Sequence, residues 1–197
     1  MSNPESPIPD LPCVIFAGGK SSRMGRDKAL LPFGGYDTLT EYQYRRLVKI
    51  FKEVYISAKE DKFPFDAPVI HDRADDGIFA PTVGLLTVME ALGGDFFALS
   101  VDAPFVDEGV IVLLYEAYRS DEWDAVAAKT PLGIQPMCAI YTRRLKPLLH
   151  EAVKEGNHRL GYLLKKGKSA IVEFEDEAPF FNMNRPEEYE AAKAALS

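Results

Sequence analysis

Four basic side chains, three glycines and two serines occur together in residues 18–28. Glycines let a backbone turn its N–H groups inward and form a concave anion-binding surface. Lys20, Arg23 and Lys28 can neutralise phosphates there, and arginine can bind two phosphate oxygens at once. A basic loop can also be merely solvated, but these glycines directly follow an apolar run. We therefore predict that the loop binds nucleotide phosphates and that Arg23 and Lys28 act in catalysis.

The spacing of the glycines disfavours two common nucleotide-binding folds. A Walker loop requires Gly-x-x-x-x-Gly-Lys-Ser/Thr, and the dinucleotide fingerprint requires Gly-x-Gly-x-x-Gly. Residues 18–28 match neither pattern. A P-loop GTPase or kinase and a Rossmann dehydrogenase are both poor fits for this chain.

Two aspartates follow predicted strands. Asp102 comes after an apolar run and before Ala103-Pro104, where a carboxylate can reach a Mg²⁺ ion held between triphosphate oxygens. A turn residue is the alternative, but Asp107 is the better cap for the next helix, so Asp102 is predicted to bind the metal. Asp72 can accept hydrogen bonds from the ring N–H and amine of guanine, although a turn without a function is again the alternative.

The surrounding elements alternate between strands and helices. Short apolar runs predict strands at about residues 12–17, 53–58, 68–71, 95–101, 125–129, 136–141 and 170–174. Helical spacing of apolar residues predicts helices at about residues 38–51, 82–92, 107–120, 143–155, 160–165 and 186–196. This alternation predicts a single-domain α/β fold, a three-layer αβα sandwich with a mainly parallel, Rossmann-like sheet. Ligands then bind beyond the carboxyl ends of the strands, where loops 18–28, 71–81 and 102–104 lie.

The composition limits the partners that the chain can have. Its 197 residues suit one domain, which we predict to span residues 12–197 after a flexible leader at residues 1–11. The net charge of −7 argues against nucleic-acid binding, and no apolar run reaches the roughly 20 residues that cross a membrane. Cys13 and Cys138 are predicted to be buried free thiols, and the leader carries no basic residue of a signal peptide. A cytoplasmic location is expected.

The run from Phe16 to Leu31 (FAGGKSSRMGRDKALL) resembles the signature loop of nucleotidyltransferases that use a nucleoside triphosphate. It is most similar to the molybdenum cofactor guanylyltransferases, which have Ala-Gly-Gly where related cytidylyltransferases tend to have Ala-Ala-Gly. The resemblance implies the fold of the nucleotide-diphospho-sugar transferases and transfer of GMP from GTP to molybdopterin, with Mg²⁺ as cofactor. It also suggests partner proteins that supply molybdopterin and receive the product.

The resemblance further implies roles for individual residues. Nucleotide binding is expected at Phe16, Ala17, Gly18, Gly19, Lys20, Lys28, Ser57, Asp72 and Asp102. Asp102 stands in the family's Asp-x-Pro, which supplies the magnesium ligand. Acceptor binding is expected at Gln135, Arg159, Asn182 and Asn184. The last two belong to Asn182-Met-Asn-Arg-Pro-Glu-Glu188, which matches the family's Asn-x-Asn-x-Pro-Glu-Glu, and Asn184 also has the position of a helix cap.

Three positions depart from the family pattern. Ala80 and Thr82 differ from the usual Gly-Pro-Leu-x-Gly stretch, and Ser57 stands where the family often has asparagine. These departures leave guanine selectivity open. A cytidylyltransferase acting on molybdopterin or on a sugar or polyol phosphate is therefore one alternative, and a non-catalytic nucleotide-binding module is another.

Overall fold

The fold is built on one seven-stranded sheet. The computed structural model describes residues 7–18, 27–73 and 80–196. The strands are β1 (Cys13–Phe16), β2 (Val54–Ala58), β3 (Val69–His71), β4 (Phe96–Ser100), β5 (Ala125–Thr130), β6 (Gly133–Tyr141) and β7 (Ser169–Glu173). The described α-helices are α1 (Leu39–Leu47), α2 (Pro81–Leu92), α3 (Glu108–Arg119), α4 (Lys146–Lys154), α5 (Leu160–Lys166) and α6 (Pro186–Ala195).

The strand order places the predicted functional loops at one edge of the sheet. The order is β3-β2-β1-β4-β6-β5-β7. Strands β3, β2, β1 and β4 are parallel neighbours, β5 and β7 are parallel, and β6 runs antiparallel to both β4 and β5. The carboxyl ends of β1, β3 and β4 therefore meet at the same edge, together with the amino end of β6.

The central strands are mainly apolar because helices cover both faces of the sheet. Side chains alternate between faces along a strand, so Cys13 and Ile15 pack in one apolar cluster and Val14 in the other. Apolar residues of α1, α3 and α6 belong to the first cluster, and those of α2, α4 and α5 to the second. The predicted three-layer αβα architecture is confirmed. Burying one large apolar side chain stabilises such a core by about 1.5–3 kcal/mol.

Local sequence signals fix the ends of the helices next to the site. Asp107 caps α3 by accepting a hydrogen bond from Val110 N at 2.9 Å, as predicted. Pro81 opens α2, where its missing N–H would have no partner in the helix anyway. The same helix ends at Gly93, whose φ of 66° favours glycine.

Asn184 does not cap α6, contrary to the sequence-based expectation. The N-cap residue is Arg185, and the Glu188 carboxylate accepts from the N–H groups of Asn184 and Arg185 at 2.6 and 2.9 Å. A glutamate in the first turn thus reaches back to the backbone N–H groups at and just before the N-cap, as in a capping box. The side chain of Asn184 points instead toward Lys28.

The first described residues pack against the domain. Ile8 and Leu11, which lie inside the segment expected to be a flexible leader, are buried. Ile8 N donates to Ile50 O at 3.1 Å, and Ile8 pairs with Phe51. Apolar burial and backbone hydrogen bonds offset the entropy that is lost when this segment is fixed. Residues 1–6 lie outside the described part of the chain.

Three predicted boundaries were wrong by three or four residues. Helix α1 ends at Leu47, four residues before the predicted end at Phe51. Strand β6 begins at Gly133, three residues before the predicted start, because Gly133 pairs with Thr130 across the turn from β5. The predicted helix at 143–155 begins with a 3₁₀ turn, Arg143–Leu145, before α4. Among the described residues, no helix is both long and apolar enough to span a membrane.

Candidate active site

Two adjoining cavities open at the functional edge of the sheet. The α2 cavity has a volume of about 360 Å³ and lies beside the start of α2. The β6 cavity has a volume of about 260 Å³ and lies beside the start of β6. Ser100 and Met137 line both cavities and therefore mark the boundary between them.

The linings differ in character. The α2 cavity is lined by Phe16, Gly18, Lys59, Asp72, Arg73, Ala80, Pro81, Val83, Gly84, Ser100 and Met137. The β6 cavity is lined by Ser100, Asp102, Ala103, Val106, Gln135, Pro136, Met137, Cys138, Phe180, Asn182 and Asn184. An aromatic ring, a carboxylate and the first turn of a helix thus face the first cavity, and a carboxylate with three carboxamides faces the second.

An ion pair lies at the rim of the β6 cavity. Lys28 Nζ is 2.5 Å from Asp102 Oδ2, although 74 residues separate them in the sequence. Lys28 also donates to Asn184 Oδ1 at 3.2 Å. The side chains of Lys28 and Asp102 are 16% and 15% exposed, so solvent screens their charges only in part. Loop 27–31, the end of β4 and the segment before α6 converge at this point.

The carboxylate of Asp102 is oriented by its neighbours. Ser100 Oγ donates to Asp102 Oδ1 at 2.6 Å, while Lys28 contacts the other oxygen. The backbone carbonyl of Asp102 accepts from Met183 N at 3.0 Å. Both carboxylate oxygens therefore have donors in this structure, and one of those donors is a cation.

A second carboxylate faces the α2 cavity. Ser57 Oγ donates to Asp72 Oδ1 at 2.5 Å. Burial raises the pKa of Asp72 above its usual value, and the hydrogen bond from Ser57 offsets part of this effect. A Cβ at Gly18 would lie 2.5 Å from Asp72 Oδ2, so the absence of a side chain at Gly18 lets the backbone of this residue approach the carboxylate.

Of the remaining predicted site residues, some line the cavities and others do not. Phe16, Gln135 and Asn182 line the cavities, whereas Ala17 is buried and its N–H donates to Ser57 O at 2.9 Å. Arg159 is exposed at the start of α5 and lines neither cavity. The predictions for Gly19, Lys20 and Arg23 fall outside the described residues.

The loop next to Arg159 nevertheless contacts the helix turn that lines the α2 cavity. His158 Nδ1 lies 2.6 Å from Thr82 Oγ1, and Thr82 is fully buried in the first turn of α2. This hydrogen bond ties the start of α5 to the helix turn that lines the cavity. In the sequence Thr82 differs from the family pattern, and in the structure it has His158 as a hydrogen-bond partner.

Sequence reasoning missed several cavity residues. Ser100 and Met137, which separate the two cavities, carry no distinctive motif, but each stands one or two residues from a predicted site residue. In residues 7–18, 27–73 and 80–196, no cluster of three or more His, Cys, Asp or Glu side chains could hold a metal. The carboxylate, hydroxyl and carboxamide oxygens around Asp102 are nevertheless the hard ligands that Mg²⁺ prefers. The ammonium of Lys28 at Asp102 Oδ2 further indicates that this oxygen accepts a cation.

The chain is similar to a family of nucleotide-dependent transferases. Residues 13–171 match the model of the MobA-like NTP transferase domain. A molybdenum cofactor guanylyltransferase from Campylobacter jejuni is 38% identical over 188 residues, which cover 95% of this chain and 97% of that protein. Its counterpart from Helicobacter pylori is 34% identical over 202 residues, and this match covers 100% of this chain and 93% of the Helicobacter protein.

A solved structure shows the same fold. The crystal structure of molybdopterin-guanine dinucleotide biosynthesis protein A from Archaeoglobus fulgidus superposes with a TM-score of 0.81. The match covers 94% of this chain and 98% of that chain at 19% identity. The Rossmann-like sandwich described above is therefore the fold of that protein.

Proposed function

We propose that this chain, which belongs to the MobA-like NTP transferase family, transfers GMP from GTP to molybdopterin and releases pyrophosphate. The observation that carries the proposal is the pairing of Lys28 with Asp102 at the rim of one cavity and next to another. A lysine for phosphate and a carboxylate for a metal then lie at the space for the acceptor, and Ser100, which donates to Asp102, also lines the space for the base. The guanylyltransferase relatives, at 34–38% identity, give the same reaction.

The reaction joins the acceptor to the α-phosphate of the nucleotide. An oxygen of the acceptor's phosphate attacks the α-phosphorus, and the bond from that phosphorus to the β-phosphate oxygen breaks. The electron pair leaves with pyrophosphate. A phosphomonoester is largely dianionic at neutral pH, so no general base has to remove a proton. Catalysis then depends on positioning and on neutralising charge.

Lys28 is the cation proposed to bind the triphosphate. Its ammonium contacts Asp102 at the rim of the β6 cavity, where the phosphates of a nucleotide in the α2 cavity would have to pass to meet an acceptor. Arg23 and Lys20 are proposed to add positive charge from the same loop. Backbone N–H groups at Gly18 and Gly19 are proposed to complete the phosphate site.

Asp102 is the residue proposed to hold Mg²⁺. Bound there, the ion would supply positive charge that stabilises the charge developing on the phosphates. Mg²⁺ commonly takes one or two protein carboxylates and completes its coordination with phosphate oxygens and water. Ser100 keeps the Asp102 carboxylate oriented through its hydrogen bond.

The α2 cavity is proposed to bind guanine. Asp72 Oδ2 faces this cavity beside Gly18, and an ionised carboxylate can accept from both the ring N–H and the exocyclic amine of guanine. Cytosine offers an amine without an adjacent ring N–H, so it satisfies this carboxylate less well. Phe16 lines the same cavity and supplies an apolar surface for the base.

The β6 cavity is proposed to bind molybdopterin. Gln135, Asn182 and Asn184 present carboxamides there, which can hydrogen-bond to a pterin and to a phosphate. Arg159 is proposed to contribute a cation from the start of α5. We also propose a cytoplasmic location and partner proteins that supply molybdopterin and receive the product. The two cysteines are buried free thiols, as expected for a reducing compartment.

The test is pyrophosphate release by the purified protein with molybdopterin and Mg²⁺, with GTP in one series and CTP in the other. GTP is expected to be faster by about 10²-fold or more, because the wrong base leaves a partly buried carboxylate poorly paired. Faster release from CTP would identify a cytidylyltransferase. Binding of GTP without pyrophosphate release would identify a non-catalytic module. Omission of molybdopterin is the control for hydrolysis.

A further inference from the structure

Two polar side chains of α1 hold the loop that carries Asp102. Gln43 Nε2 donates to Ala103 O at 2.9 Å and to Val101 O at 3.4 Å. These are the backbone carbonyls on either side of Asp102. Strand β4 ends at residue 100, so these carbonyls lie beyond the sheet ladder and receive donors from a side chain instead.

Arg46 orients Gln43 and extends the contact along the loop. Its Nη2 donates to Gln43 Oε1 at 2.6 Å, and its Nη1 donates to Val106 O. A carboxamide that accepts from Arg46 through its oxygen must turn its NH₂ group toward the loop. The two side chains therefore act as one unit that spans loop residues 101–106.

This unit is held in an unfavourable environment. Gln43 is fully buried, and burial lowers the pKa of Arg46. The Nε atom of Arg46 is buried and has no hydrogen-bond partner among the described residues. Buried polar groups are costly unless they are well paired. Apolar side chains would fill the same space but leave the carbonyls of residues 101, 103 and 106 without these donors. The polar pair therefore contributes the geometry of the loop.

The same loop is fixed from its other side. Met183 N donates to the backbone carbonyl of Asp102, which lies between the two carbonyls bound by Gln43. All three carbonyls of residues 101–103 thus accept from donors outside the strand ladder. A backbone held in this way determines where the Asp102 carboxylate points.

We propose that Gln43 and Arg46 are positioning residues for the metal-binding carboxylate of Asp102. They contact neither cavity and act through the backbone that carries Asp102. The inference rests on the proposed function, because it requires that Asp102 binds Mg²⁺ together with GTP. It adds to that function a buried pair in α1 that sets the affinity of the metal site.

The test measures how Mg²⁺ supports the binding of a fluorescent GTP analogue to the full chain. In Gln43→Met, the half-saturating Mg²⁺ concentration is expected to rise about 10- to 100-fold, as when a residue that supports a metal ligand is removed. Analogue binding in EDTA should be unchanged, because the phosphate and base contacts remain. Arg46→Lys keeps a single donor group and should give an intermediate rise. In pyrophosphate release, kcat should fall while the KM for molybdopterin stays the same.

Thr142→Val is the matched control. Thr142 Oγ1 is buried and also donates to two backbone carbonyls, those of Trp123 and Asp124, at 2.8 and 3.2 Å. It follows β6 at the opposite edge of the sheet, so its loss should lower stability without changing the Mg²⁺ requirement. An equal shift in Thr142→Val, or none in Gln43→Met and Arg46→Lys, would overturn the inference.

Wild type and Asp102→Asn separate this inference from the proposed function. If wild-type GTP binding responds to Mg²⁺ and Asp102→Asn does not, the metal role of Asp102 stands whatever Gln43→Met shows. If Asp102→Asn responds like wild type, the metal assignment fails and the inference fails with it.

Discussion

At the scale of single residues, the site is organised around an ion pair between a lysine and an aspartate. Lys28 and Asp102 form a partly buried ion pair, and Asn184 accepts from the same ammonium. Mg²⁺ and a triphosphate would offer a cation to Asp102 and anions to Lys28. The ion pair therefore keeps both side chains near the positions that the ligands require, and its two charges can each exchange one partner for another when substrate binds.

Removal of the carboxylate charge tests the role of Asp102. Asp102→Asn keeps the shape and the hydrogen bond from Ser100 but loses the charge that holds the metal. We expect kcat to fall on the order of 10³-fold, comparable to the loss of one strong transition-state contact, while the Tm stays close to that of wild type. Steady-state pyrophosphate release and thermal unfolding measure the two effects. Undiminished kcat with Mg²⁺ present would remove Asp102 from the reaction.

The raised pKa of Asp72 predicts a pH dependence of GTP binding. Guanine needs the ionised carboxylate, so GTP affinity should fall as pH decreases toward the pKa of Asp72. The Ser57 hydrogen bond lowers that pKa, so Ser57→Ala should move the acid limb to higher pH. Asp72→Asn should lack this limb and retain only the titration of the GTP phosphates, which makes it the reference curve. Identical curves for the three proteins would contradict the base-binding role.

The same pKa shift has a consequence for stability. The unfolded value is 3.8 and the folded value is higher, so the folded state holds the proton more tightly. This stabilisation is fully present below pH 3.8 and is lost as pH rises through the folded pKa. Asp72→Asn should therefore raise the Tm at neutral pH and not below pH 3.8. A lower Tm at neutral pH would contradict the shift.

The residues that could be predicted from sequence were those inside motifs. Lys28 ends the glycine-rich basic loop that predicts phosphate binding, and Asp102 follows the apolar strand where a metal-binding carboxylate is expected. The structure brings the two side chains together. Ser100 and Met137 could not be predicted, because their position between the cavities depends on the neighbouring strands β4 and β6. The cap assigned to Asn184 was wrong because α6 begins at Pro186, which makes Arg185 the N-cap residue, and the Asn184 side chain instead accepts from Lys28.

At the scale of elements, the connection from β4 to α3 carries two aspartates with different tasks. Asp102 is at its start and pairs with Lys28, whereas Asp107 is at its end and caps α3. Pro104 lies between them and limits the backbone freedom of the connection. Only four residues thus lie between a side chain of the site and a side chain that stabilises the helix.

Loss of the cap separates these tasks. Asp107→Ala removes the acceptor for Val110 N and should destabilise the protein by about 1 kcal/mol, which lowers the Tm of a domain of this size by about 2–4 °C. The kcat should remain close to that of wild type. This is the reverse of the expectation for Asp102→Asn, and parallel unfolding and activity measurements compare them. A large loss of kcat in Asp107→Ala would show that the connection does not separate the two roles.

The presence and the type of each element could be predicted because apolar residues recur at different spacings in helices and in strands. Every predicted strand and helix is present, with ends that differ by a few residues. The direction of β6 could not be predicted from its own sequence. A mainly apolar strand has the same apolar pattern in either chain direction. The hairpin with β5 makes β6 run antiparallel to its neighbours.

At the scale of the whole molecule, alternation of strands and helices predicts three layers but not the order of the strands. That order depends on contacts between distant segments, such as β1 with both β2 and β4. It places the loops after β1, β3 and β4 at one edge and adds the start of β6 beside them. The adjoining cavities are a product of this order, and together they give room for two substrates whose phosphates can meet near Lys28 and Asp102.

A crystal structure of the protein with GTP and Mg²⁺, without acceptor, tests the central claim most directly. We expect guanine in the α2 cavity against Asp72, Mg²⁺ on the Asp102 carboxylate, and Lys28 Nζ moved from Asp102 to a phosphate oxygen. The β6 cavity should remain open for the acceptor. A nucleotide bound elsewhere, or a triphosphate that leaves the ion pair of Lys28 and Asp102 intact with the metal on other residues, would contradict the account.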